Sequence, residues 1–158
     1  MRKWLALIVA ALSIAIVVPT PAGAARVKKC SLNLTFLTAP VKVSGNPPLT
    51  GTETRAGVAD GKLCGTQFRG AARLLITYTA PGHATTAFAI FGPTGSLEGT
   101  AEVVGVPQPD GSVVLNGSGK ITGGTGLLTG ATGSISITGT RLANSNVNFV
   151  HDTGTLRF

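Results

Sequence analysis

What most constrains this chain is the way its apolar residues alternate and the frequency with which the alternation is broken. Past residue 25, runs rich in Val, Ile, Thr and Phe repeat with period two, and 22 Gly and 9 Pro punctuate the 158 residues. No window sustains the 3.6-residue apolar period of an amphipathic helix, so the elements are expected to be strands. Leu32, Leu34 and Phe36 alternate with Asn33 and Thr35. Leu74, Ile76 and Tyr78 share one face of a run whose other face carries Arg73, Thr77 and Thr79. Further runs cover residues 85–91, 97–104, 113–115 leading into 119–122, 134–140, 146–150 and 154–158. Turn signals separate them: Gly45-Asn46-Pro47-Pro48, Asp60-Gly61, Pro81-Gly82, Gly92-Pro93, residues 107–111 and Asp152-Thr153-Gly154. About eight short strands joined by tight turns make an all-β fold, a single antiparallel barrel or alternatively a β-sandwich. A parallel α/β layout is excluded, because nothing supplies the crossover helices.

The first 25 residues read as a secretory signal peptide rather than as part of the fold. Arg2 and Lys3 form a positive start, residues 4–18 are apolar except for Ser13, and Ala22-Gly23-Ala24 offers a small-residue cleavage site. The apolar run is shorter than the roughly 20 residues of a membrane-spanning helix. Residues 26–158 are then one β domain, exported, with no stable membrane span after cleavage. Removing Arg2 and Lys3 leaves 11 basic against 6 acidic residues, a formal charge of +5, with Arg26, Lys28 and Lys29 crowded at the new N-terminus. Tyr78 and six Phe are the aromatics that remain, too few to give a nucleic-acid groove its stacking platforms. Nucleic acid is therefore not an expected partner.

Two cysteines remain, Cys30 and Cys64. In an exported chain such a pair reads as a disulfide, here closing a loop of about 34 residues. Neither has a His at a spacing suited to zinc, so no metal site is expected, and no motif implies a cofactor.

Residues 117–140, GSGKITGGTGLLTGATGSISITGT, are the most informative segment. Gly123, Gly124 and Gly126 permit positive φ and close backbone approach, and Leu127 and Leu128 are placed to drop into the core beside Gly130 and Ala131. A phosphate-cradling loop is excluded, because alternating Ser and Ile follow where a helix would have to start. The run from Gly123 to Gly133, GGTGLLTGATG, resembles the GGTG-x-F-x-x-A-x-G signature of dirigent proteins and the wider allene oxide cyclase-like barrels. Ser96-Leu97-Glu98-Gly99-Thr100 resembles the family's strand before its long hairpin, and residues 146–158 resemble its closing strand. The resemblance covers residues 70–158. It implies an eight-stranded antiparallel barrel, usually trimeric, with an apolar cavity that in plant relatives holds phenoxy radicals or a reactive fatty-acid epoxide. Three departures put the chemistry in doubt: Leu32-Asn33-Leu34-Thr35-Phe36 stands where dirigent proteins carry a His-Asp pair, Leu127 replaces the aromatic after GGTG, and the cyclase's active-site carboxylate has no match.

Read for chemistry directly, the sequence offers little. There is no Gly-x-Ser-x-Gly elbow. Of the six carboxylates, Asp60, Asp110 and Asp152 stand in turn sequences, where Asp accepts local backbone hydrogen bonds. Glu98 and Glu102 are four apart on one strand face, about 13 Å, too far for a glycosidase pair. Glu53 and Tyr78 are the remaining catalytic candidates, with Tyr78 the natural polar handle if its face turns inward. His83 and His151 are read as exposed. The expected function is an exported barrel that holds a hydrophobic small molecule without reacting with it. An isomerase or cyclase, and a structural or surface-interaction protein, are the alternatives.

Overall fold

In the computed structural model, which describes residues 28–158, the alternating runs extend into strands much longer than the sequence pattern alone marks. In chain order they are β1 (Lys29–Asn46), β2 (Thr50–Leu63), β3 (Thr66–Ala80), β4 (His83–Gly92), β5 (Gly95–Pro107), β6 (Val113–Gly124), β7 (Thr132–Arg141) and β8 (Asn148–Arg157), with one 3-10 turn at Gly126–Leu128. Each strand pairs antiparallel with the next, and β8 pairs back onto β1 to close the barrel. Closure satisfies every strand edge, which an open sheet of this size would leave exposed. The signal peptide expected at residues 1–25 lies outside the described residues.

Eight is the expected number of strands, but the members differ. The pattern gave no strand between residues 36 and 73, yet β2 fills that stretch and pairs along most of its length with β1 and β3. Conversely, the two closing runs are one strand, β8. Asp60-Gly61 and Asp152-Thr153-Gly154 are therefore not turns. Asp60 lies opposite Thr35 and Arg69 inside β2, and Asp152 lies opposite Leu34 and Ile137 inside β8. Asp110 is a turn residue as expected, accepting hydrogen bonds from the Ser112 backbone N–H at 2.9 Å and hydroxyl at 2.7 Å.

The glycine segment earns its composition at two points. A Cβ on Gly124 would stand 2.4 Å from the Leu128 carbonyl oxygen, and Gly126 adopts φ +61° with the Thr94 oxygen 2.5 Å from where its Cβ would be. The chain doubles back against β5 there, and only glycine fits. Leu128 is buried, but Leu127 is 80% exposed, so one of the two expected core leucines faces solvent.

The end of the barrel carrying this turn is solid. Leu32, Leu34, Leu63, Phe68, Leu97, Ile121, Leu128, Ala131, Ile135 and Leu156 fill it, all buried. Cys30 and Cys64 stand at disulfide distance at the same end, with Cα atoms 4.8 Å apart. They tie the start of β1 to the β2–β3 turn.

Candidate functional site

Following the inward faces from the filled end to the other shows where the packing runs out. Above Phe36, Ile90 and Ile137 the interior positions include Ala72, Ala84, Ala101 and Gly105, whose short or absent side chains leave a chamber of about 410 Å³. An eight-stranded barrel is just wide enough either to be filled by side chains or to hold one small ligand, and this one does each in a different half. The rim lies at the turns that follow β1, β3, β5 and β7, with Pro48, Leu49, Pro81, Gly82 and Pro107 around it. Most of the wall is apolar. Thr38, Tyr78, Thr86, Arg141, Asn148 and Asp152 supply the polar side chains.

One polar cluster closes the wall between β1, β2 and β3. Glu53 and Arg55 are two apart on β2, so both face inward, and both are buried. The Arg55 guanidinium donates to the Glu53 carboxylate, to the Thr38 carbonyl at 2.9 Å, to the Thr38 hydroxyl at 3.3 Å and to the Asn146 carbonyl. Tyr78, whose register partner is Gly51, donates its hydroxyl to the second Glu53 oxygen at 2.7 Å. A buried charge must be paired and hydrogen-bonded to be tolerated, and both ions here are. Burial lowers the Arg55 guanidinium from its ordinary value, and the Glu53 charge and hydrogen bond work against that shift. Burial, with the hydrogen bond to Glu53, pushes the Tyr78 phenol up to about 12. The two catalytic candidates read from sequence thus touch each other, and Tyr78 lines the chamber.

Asp152 is the polar residue the sequence reading placed elsewhere. It is buried on β8, lines the chamber, and its Oδ1 has no hydrogen-bond partner among the described residues. Burial alone pushes its carboxyl up from 3.8 to about 7. Asn148, four residues earlier on the same strand, lines the chamber too, and its buried Oδ1 has no partner among the described residues. The signal that would have found Asp152 is parity: counting in twos from Leu156 through Gly154 puts residue 152 on the inner face.

The remaining candidates lie outside the chamber. Glu98 and Glu102 are exposed on β5 and Arg73 is exposed on β3, as expected of outer faces. His83 opens β4 and is exposed. His151 does not precede a turn but sits mid-strand on β8, half-buried, with Nδ1 3.3 Å from the Thr35 hydroxyl.

No family model matches the chain, and no curated protein does. Among solved structures it is similar to that of the pterocarpan synthase dirigent protein GePTS1, with a TM-score of 0.57 and 15% identity over 93% of this chain and 98% of that one. At that identity the likeness concerns architecture, and it spans nearly the whole of both chains. The fold is that of a dirigent-like eight-stranded barrel, as the resemblance of the GGTG segment implies.

Proposed function

We propose that this chain is an exported barrel that binds an apolar small molecule in its chamber without itself reacting with it. The observation that carries the reading is the hollow half of the interior: about 410 Å³, walled mainly by aliphatic and aromatic side chains and reached from one rim. Small-molecule sites have this size and this composition, with a few polar groups to set orientation. Export rests on the leader sequence and agrees with a cysteine pair at disulfide distance, since such pairs persist in oxidising compartments. A thermal-shift screen of phenolics, fatty acids and terpenoids tests the proposal. A binder should raise the melting temperature in proportion to its occupancy of the folded state, and its effect should vanish when the chamber is filled by substitution. A screen without a single stabilising compound overturns the reading.

One observation favours the isomerase or cyclase alternative: Tyr78 lines the chamber with Glu53 hydrogen-bonded to its hydroxyl, and Asp152 lines it as a neutral-range acid. Both Glu53 oxygens, however, are engaged by Arg55 and Tyr78, which leaves that carboxylate poorly placed as a base. Turnover of a bound epoxide or quinone methide that is lost in Asp152→Asn would establish this alternative.

The chain is further proposed to self-associate, as trimeric relatives do. Phe149, Leu37, Val58, Ala71 and Phe91 are register partners in sequence around the outside of β8, β1, β2, β3 and β4. All five are exposed. A continuous apolar row of this kind is a typical mark of a protein contact.

A further inference from the structure

Besides Thr38, Tyr78 and Thr86, the chamber carries polar side chains at its rim and at its floor, and the groups at those two levels differ in kind. At the rim, Arg141 ends β7 directly opposite Asn148 on β8, and both side chains line the chamber. Arg141 has no carboxylate within salt-bridge distance among the described residues. Asn148 pairs in turn with Thr38, whose carbonyl accepts from Arg55, so Arg141 stands on the same side as that cluster. Glu53 is already held by Arg55 and Tyr78 and does not neutralise it. At the floor, Asp152 lies where the chamber meets the filled half, its flanking partners Leu34 and Ile137 being buried and apolar. Asp152 is 8% exposed. The two buried side-chain oxygens that lack a partner among the described residues, on Asn148 and Asp152, both belong to this one chamber. A buried acceptor without a donor is costly, and a guest that brings the donor removes the cost.

Resting on the small-molecule reading above, we infer that the guest is an elongated amphiphile: an anionic head held at the rim by Arg141, an apolar body along the wall, and a hydroxyl at the far end donated to Asp152. Four residues of strand separate the two levels, about 13 Å, which sets the distance between the two ends of the guest. The Asn148 carboxamide, level with Arg141, donates its N–H2 to the same head group, but an acceptor-only head does not pair its Oδ1, so the donor the guest brings is for Asp152 alone. A plain hydrocarbon leaves the Asp152 oxygen without a donor.

The test is a ladder of ω-hydroxyalkanoic acids of about six to sixteen carbons, each compared with the unsubstituted acid and the α,ω-diol of the same length by calorimetry on the purified protein. The ω-hydroxy acid should bind best at one intermediate length, about tenfold tighter than either comparison compound, the size of one charge-assisted hydrogen bond. Arg141→Gln should erase the advantage over the diol and leave the advantage over the plain acid. Asp152→Leu should do the reverse, while Glu98→Gln on the outer face changes neither. Affinity that rises steadily with length, with no effect of the hydroxyl or of either substitution, overturns the two-point reading but leaves a binding chamber. Binding of a terpenoid or phenolic with no member of the ladder bound overturns it in the same way. Failure of every class overturns the chamber reading itself.

Discussion

At Asp152 a carboxyl sits between Leu34 and Ile137 with one oxygen lacking a partner among the described residues, and the physical consequence is a pH dependence of stability. Desolvation disfavours its charged form, which raises its value in the folded chain from 3.8 to about 7. Between those values the unfolded chain has released the proton and the folded chain has kept it. Stability is therefore full below the lower value, falls as pH rises through the interval, and stays low above about 7. The swing is of the order of 4 kcal/mol, at about 1.36 kcal/mol per unit. Urea unfolding of Asp152→Asn at pH 5 and pH 8 checks it: the substitution should flatten the profile and stabilise at pH 8. An unchanged slope would mean the carboxyl is not the source. The Glu53–Arg55 pair behaves differently, because each ion is buried against the other. Removing Arg55 alone leaves a buried carboxylate, and Arg55→Met should cost about 3–5 kcal/mol. Glu53→Leu combined with Arg55→Met should cost markedly less than the sum of the single changes, and a double-mutant cycle in urea reads the coupling directly. Tyr78→Phe, which removes only a donor to Glu53, should cost about 1 kcal/mol.

At the scale of elements, the strands that could be read from sequence are those whose inner faces are apolar. β1 presents Leu32, Leu34 and Phe36 inward and β3 presents Leu74 and Ile76, and the alternation shows both. β2 presents Glu53, Arg55, Gly57, Ala59, Gly61 and Leu63, and β8 presents Asn148, Val150, Asp152, Gly154 and Leu156. Charges and glycines stand there where the pattern needs aliphatic side chains. β2 consequently reads as loop, and β8 reads as two strands around a turn. The glycines belong to barrel geometry: a Cβ on Gly57 would lie 1.9 Å from the Leu37 carbonyl oxygen. The charges belong to the candidate site. Local rules fail at the positions where a chain gives up packing for a polar group, so the missed strands and the missed site residue have one cause. Closure of β8 onto β1 joins residues far apart in sequence, so local pattern does not show it; it is legible through the family resemblance, in which residues 146–158 match the closing strand. The cysteine pair was legible because its reading needed no pattern, and it yields a prediction for its elements. Replacing Cys30 and Cys64 by Ala releases a cross-link spanning 34 residues and should lower stability by about 3–4 kcal/mol on chain entropy. Equal denaturation midpoints for the variant and the parent would show that the β1–β2 hairpin already supplies the constraint.

For the whole molecule, two consequences follow from a barrel that is apolar on a strip of its outside and hollow in half of its inside. The outer strip, with Leu37, Val58, Phe91 and Phe149 each about half exposed, should drive self-association. Val58→Lys at its centre is expected to shift sedimentation from trimer to monomer without altering the circular dichroism of the sheet, and a parent protein that sediments as a monomer refutes the proposal. The inside permits a sharper contrast, because one substitution can be made at two heights. Ala131 is fully buried in the solid half, packed among Leu128, Ile135 and Leu156. Ala131→Leu must displace them, and overpacking of a filled core costs about 1–3 kcal/mol. Ala101 is also buried from solvent but lines the chamber. Ala101→Leu projects the same added atoms into empty space, where filling contributes stability, about 0.5–2 kcal/mol. It should also abolish the thermal shift produced by any chamber ligand, whereas Ala131→Leu should reduce stability and leave binding per folded molecule intact. Measured together by urea unfolding and ligand titration, the two variants separate the half of the barrel that holds the fold from the half that is free to hold a guest. Equal destabilisation by both would mean that the interior is packed from end to end.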